Sequence, residues 1–155
     1  MIRKISLIII IFNLLVHCGF TPIHSNKNNS NFSIENIKFE GDNKINSYLK
    51  AYLKKYQNSK YERKFTINVN TKYNKKILTK SKAAKILSYQ LTVDTNFQIS
   101  SDGVIIKTLS LSEKQNMDNI SDNFEEQKKE NIIKQNFSSS IYRSLIRELT
   151  ILNDN

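Results

Sequence analysis

Apolar and polar positions alternate in two distinct rhythms along this chain. Phe32, Ile34, Ile37 and Phe39 mark a short extended segment whose apolar phase slips between Ile34 and Ile37, which predicts a bulge or a break there. Gly41-Asp42 closes that segment, with Asp42 placed to cap a helix. Ile45, Tyr48, Leu49, Tyr52, Leu53 and Tyr56 then recur at i, i+3, i+4, i+7, i+8 and i+11, the spacing that puts all six on one face of a helix. Lys50, Lys54 and Lys55 lie opposite as a solvated face, and the tyrosines read as core residues with wet hydroxyls.

From Phe65 the period falls to two. Phe65, Ile67, Val69, Thr71 and Tyr73 share one side, and Thr66, Asn68, Asn70 and Lys72 the other. A second alternation sets Leu87, Tyr89, Leu91, Val93, Thr95, Phe97 and Ile99 against Ser88, Gln90, Thr92, Asp94, Asn96 and Gln98. Ser101-Asp102-Gly103 carries hairpin turn chemistry, so a third strand, Val104 to Leu111, is expected to return antiparallel. Between the first two of these strands Lys75, Lys76, Lys80, Lys82 and Lys85 form a basic cluster around Ala83 and Ala84.

After a polar stretch, Asp122 precedes Glu125 by three residues, the capping-box spacing that satisfies free amides at a helix start. The helix is expected to reach about Leu152, with Ile133, Phe137, Ile141, Leu145 and Leu149 stepping by four. Its first half, Glu125 to Glu130, is charged and is expected to face solvent or a partner. The sum is an α+β fold of order β-α-β-β-β-α, a mostly antiparallel four-stranded sheet with two helices packed on one face.

The N-terminus adds a targeting segment. Basic Arg3 and Lys4 precede an apolar run from Ile5 to Val16, followed by Cys18, the single cysteine of the chain. About 12 apolar residues rise only ~18 Å as a helix against a ~30 Å hydrocarbon core, which suits a signal peptide rather than a span. A lone cysteine in an exported protein is a free thiol, an intermolecular partner or a modified residue, and its position after the apolar run favours modification. Leu15-Val16-His17-Cys18 resembles a lipobox, with His17 standing where that motif has a small residue. The alternatives are an uncleaved anchor or an ordinary secretory peptide. The expected organisation is a signal peptide over 1–17, a lipid-anchored tether over 18–31 rich in Asn and Ser, one domain over 32–152, and a tail over 153–155.

Net charge is +10, and about +8 remains once the signal is removed. In an exported protein the natural acidic partners are phosphorylated lipid and glycolipid head groups rather than nucleic acid, although AT-rich coding bias also yields this much Lys and Asn. His24 is the one histidine left in the mature chain, so Cys/His nucleophiles and Cys- or His-rich metal sites are excluded, and no cofactor is expected. Three scattered glycines, Gly19, Gly41 and Gly103, make no phosphate loop. Asp94 and Glu113, on separate elements, are the carboxylates left open to meet in space. The chemistry points to a binding or structural protein rather than an enzyme.

Taken in order, the pieces resemble the LPS-assembly lipoprotein family (LptE/RlpB). Cys18-Gly19-Phe20 with Pro22 looks like the family's mature N-terminus. Lys82-Ala83-Ala84 before Tyr89-Gln90-Leu91, the Asp102-Gly103 turn, and Asp122-Asn123 before Ile141 to Leu149 resemble its basic residue and alanines before the central strand, its hairpin turn and its final helix. The resemblance implies a lipoprotein acylated at Cys18 and held at the outer membrane, facing the periplasm or inside the lumen of a barrel. Its partners would be an LptD-like LPS-translocon β-barrel, which it plugs and helps assemble, and lipopolysaccharide. Lys82 holds the position of the family's basic residue, with Lys75, Lys76, Lys80 and Lys85 as further candidates. The competing expectation is a periplasm-facing lipoprotein with an unrelated ligand-binding or scaffolding role.

Overall fold

The structure, a computed structural model, describes residues 31–57 and 61–154. Six elements follow in the expected order: β1 (Phe32–Gly41), α1 (Asn43–Gln57), β2 (Arg63–Lys80), β3 (Ile86–Ser101), β4 (Val104–Asp118) and α2 (Asn123–Asp154). They form one four-stranded sheet in the spatial order β1-β2-β3-β4. The signal peptide, Cys18 and nearly all of the tether lie outside the described residues.

The sheet is mixed. β2-β3 and β3-β4 are antiparallel, but β1 pairs with β2 in parallel, Phe32 beside Arg63 and Phe39 beside Val69. The cause is the connection: a strand that leaves through a helix returns in the same direction, whereas a tight hairpin reverses. The phase slip between Ile34 and Ile37 is a bulge, with the register shifting between Ile34 and Asn36.

One face of the sheet and the two helices enclose the core. Phe65, Ile67 and Val69 of β2 and Leu91, Val93, Phe97 and Ile99 of β3 meet Ile45, Leu49 and Leu53 of α1 and Ile133, Phe137, Ile141, Leu145 and Leu149 of α2. Phe32 stacks on Tyr56 at 5.5 Å, and the Tyr56 hydroxyl lies 3.2 Å from that of Tyr142, which gives the tyrosine stripe a polar seam between the helices.

Both helix starts use the predicted caps. Asp42 Oδ1 accepts the Lys44 and Ile45 amides at 3.0 and 2.9 Å, and Asp122 Oδ1 those of Phe124 and Glu125 at 2.8 and 3.0 Å. The Glu125 carboxylate lies 3.5 Å from the Lys128 ammonium. The last helix continues past Leu152, where the Asn153 carbonyl accepts a hydrogen bond from Arg63 at 3.0 Å.

Two strands run well beyond the apolar alternation that marked them. β2 extends through Lys80 and β4 through Asp118, so the polar stretch after Leu111 is mostly strand. There the inward positions are filled by Glu113, which accepts from Ser140, and by Met117, which is buried.

Candidate functional site

The five lysines do not form one patch. Strand alternation separates Lys75 from Lys76: Lys75 continues the inward series Phe65 to Tyr73, while Lys76, opposite Gln90, is exposed. Lys80 ends β2 opposite Ile86, and Lys82 and Lys85 are exposed in the turn that follows.

Lys75 anchors an internal ion network. Its ammonium lies 2.7 Å from Glu126 and 2.9 Å from Glu130 of α2, and 4.4 Å above the Tyr89 ring. The Tyr73 hydroxyl donates to Glu130 at 3.0 Å, and Lys134 reaches Asp42 at 3.2 Å while standing 3.9 Å over the Tyr73 ring. Glu126 and Glu130 thus tie the charged first half of α2 to the sheet, while Glu125, Lys128 and Lys129 face solvent as expected. Burial works against the charge on Lys75, but the hydrogen bonds to Glu126 and Glu130 outweigh it and hold the ammonium above the ordinary lysine range. Burial also opposes ionisation of Glu130, and the bonds from Lys75 and Tyr73 overcome it and hold that carboxyl below the usual range. For Tyr73, burial and then the neighbouring Glu130 and Asp42 charges push the phenol well above its ordinary value.

The β2-β3 turn is built to present Lys82. Ser81 N donates to the Lys85 carbonyl at 2.8 Å, Ala84 N to the Ser81 carbonyl at 3.0 Å, and Lys85 N to Ser81 Oγ at 3.2 Å. Ala84 adopts φ +60°, a left-handed conformation that costs a non-glycine residue about 1 kcal/mol. Beside this turn Ile77, Leu78 and Leu87 are 42 to 49% exposed. The hairpin end is thus both cationic and apolar, the pairing that an amphiphile with phosphate and acyl groups requires. Periodicity had placed Leu87 with the core; the strand outruns the helices there, and among the described residues Leu87 is left about half exposed.

The uncovered face of the sheet is polar. Asn70, Asn96 and Ser110 stand in one cross-strand row, and Lys72, Asp94 and Ser112 in the next, with Ser110 donating to Asn96 and Ser112 to Asp94, each at 2.7 Å. A shallow concavity of roughly 520 Å³ opens on this face among Lys38, Glu40, Asn68, Asn96, Gln98 and Thr108. Asp94 does not meet Glu113: Glu113 pairs across from Val93 on the helix side, whereas Asp94 stands on the open side.

No family model and no curated protein matches this sequence. Solved structures do. Rare lipoprotein B from Shewanella oneidensis aligns over 76% of this chain and 98% of its own length, with a TM-score of 0.54 at 7% identity. This chain has the rare lipoprotein B fold. Lipoprotein B from Nitrosomonas europaea (TM-score 0.58, 12% identity, 81% of this chain and 88% of that one) shares it. So does a minor lipoprotein from Acinetobacter baumannii (TM-score 0.52, 18% identity, 74% and 92%). In its rare lipoprotein B fold, the present chain carries Lys82 at one end of the sheet and the start of β1 at the other.

Proposed function

We propose that this chain is a non-enzymatic outer-membrane lipoprotein, acylated at Cys18, that seats in the LPS-translocon barrel, helps it assemble and meets lipopolysaccharide through its β2-β3 hairpin. The observation that carries the reading is the hairpin itself: Lys80, Lys82 and Lys85 stand beside exposed Ile77, Leu78 and Leu87 on a strained turn. Cations suit the phosphates of lipid A, and the aliphatic side chains suit its acyl chains. The fold supports the reading, because the resemblance in the sequence implied the architecture that the chain adopts. The polar open face suits the polar interior of a barrel. Of the five lysines, Lys82 is the favoured contact and Lys75 the least available.

Affinity purification through the mature chain, with mass spectrometry of what accompanies it, tests the proposal. A large outer-membrane barrel is the expected partner, and depletion is expected to leave that barrel misassembled and lipopolysaccharide missing from the surface. A normal barrel after depletion sinks the proposal in favour of an unrelated ligand, for which the concavity at Asn68 and Gln98 is the place to look.

A further inference from the structure

The end of the domain opposite the lysine hairpin is apolar. Val104, Ile105 and Ile106 follow the Asp102-Gly103 turn in succession and are 65, 58 and 37% exposed. Ile105 pairs with Ser100 and Lys107 with Ile99, so Ile106 is the extra residue of a bulge. Successive strand residues point to opposite sides, so the tip presents branched aliphatic groups on both faces. Three contiguous groups of this kind need a cover, unlike a single exposed aliphatic.

Their position says what the cover is. Phe32 at the start of β1 pairs with Arg63, the Lys64 carbonyl accepts from Ser101 Oγ at 3.2 Å, and Ser101 pairs with Val104. Three strand spacings put the tip about 15 Å across the sheet from the point where the chain enters. Cys18 precedes Asn31 by 13 residues, which reach at most ~45 Å. The lysine hairpin lies at the far end of strands about 50 Å long. A membrane that holds the N-terminus is therefore closest to the β3-β4 tip. Cations and acids share this end: Lys54 and Lys55 in the last turn of α1 and exposed Arg147, with Asp102 in the tip turn, Glu35 beside Lys64 and Glu148 beside Lys107. Lys54, Lys55 and Arg147, outside those ion pairs, suit phosphate head groups.

We propose that Val104, Ile105 and Ile106 insert into the phospholipid surface that holds the N-terminus, so that the domain stands on its β3-β4 tip with the lysine hairpin pointing away. The inference rests on the N-terminus being a membrane anchor, acylated or not, and is independent of any role with lipopolysaccharide.

The chain has no tryptophan, so Ile105→Trp, Val104→Trp and Leu87→Trp each install a single emitter. The full chain, purified from bacterial membranes, is reconstituted in phosphatidylethanolamine and phosphatidylglycerol vesicles with brominated acyl chains. Interfacial side chains sit about 5–10 Å into the acyl boundary, so Ile105→Trp and Val104→Trp are expected to lose roughly half of their emission and shift to the blue. Leu87→Trp is expected to keep its emission. Vesicle-held chains whose tip tryptophans are unquenched, or whose Leu87→Trp is quenched equally, overturn the proposal and leave the anchor standing. A chain that the vesicles do not hold overturns both.

Discussion

Gly41 lies so close to Thr71 that a Cβ on the glycine would stand 1.8 Å from the Thr71 carbonyl oxygen. Gly41 also has φ +96°, a conformation that L side chains rarely adopt. This contact turns the chain from β1 into α1: the Asp42 amide donates to the Thr71 carbonyl at 3.1 Å, and the buried Thr71 hydroxyl donates to Asn46 Oδ1 at 2.9 Å. Gly41→Ala is expected to cost about 3 kcal/mol or more, through both overlap and backbone strain. Urea unfolding of the domain from residue 31 onward measures it, and a loss below about 1 kcal/mol contradicts the reading.

Thr95 offers the opposite outcome. Its hydroxyl oxygen is fully buried on the core side of β3 and lacks a hydrogen-bond partner among the described residues. Thr95→Val exchanges the unmet hydroxyl for a methyl of similar size and is expected to stabilise by about 1 kcal/mol. An unchanged or lowered melting temperature argues that the hydroxyl is satisfied in solution.

Acid is expected to loosen the grip of α2 on the sheet. Glu130 has its folded pKa below the unfolded value near 4.5, so its contribution is complete above that value and disappears as pH falls through the lower, folded one. Lys75 shifts upward, so its contribution holds below the ordinary lysine value of 10.5 and disappears only as pH rises beyond it. Stability should thus be level through neutral pH and fall below about pH 4.5. Glu130→Gln should flatten part of the acid limb, and melting curves from pH 3 to 8 that superimpose for the two proteins remove Glu130 from the cause.

Two lysines from the same cluster are expected to fail differently. Lys75→Met takes the shared ammonium from two partly buried carboxylates, leaving Glu130 with Tyr73 and Lys134, and should lower stability by about 2 kcal/mol, whereas Lys82→Met, on an exposed turn, should change it by less than about 0.5 kcal/mol. Binding of lipopolysaccharide to immobilised protein should weaken with Lys82→Met and more so with Lys80 and Lys85 also replaced. Equal affinity for the triple variant and the parent takes the hairpin out of the proposed site.

Where burial is one-sided, the elements were legible. The alternation from Phe65 to Tyr73 and the stripe from Ile45 to Tyr56 each record a surface pressed on one core, and each became the element expected. Beyond Tyr73 the inward place belongs to a lysine, and its partners Glu126 and Glu130 lie some fifty residues away, so no local rhythm marks that part of β2 as strand. The same holds in β4, where inward Glu113 is met by Ser140. Strand direction is also silent in a period of two. The parallel β1-β2 pair followed only from the helix between them, a signal that was present in the sequence. As for the candidate site, Lys82 was readable as a turn residue, but the exposure of Leu87 depended on where the helices end.

The mixed sheet also bears on how the chain acquires its shape. β2, β3 and β4 join through a five-residue turn and a two-residue turn, so their pairing closes short loops. β1 reaches β2 only after α1 has crossed between them, a longer-range step that pays its loop entropy before gaining contacts. The meander is therefore expected to form first and the β1-α1 arm to dock last. Conservative truncations in α1, such as Leu49→Ala, should then speed unfolding while leaving the refolding rate nearly unchanged in stopped-flow traces. A chain that docks its first strand last keeps the arm next to its N-terminal segment adjustable until the rest of the domain is in place.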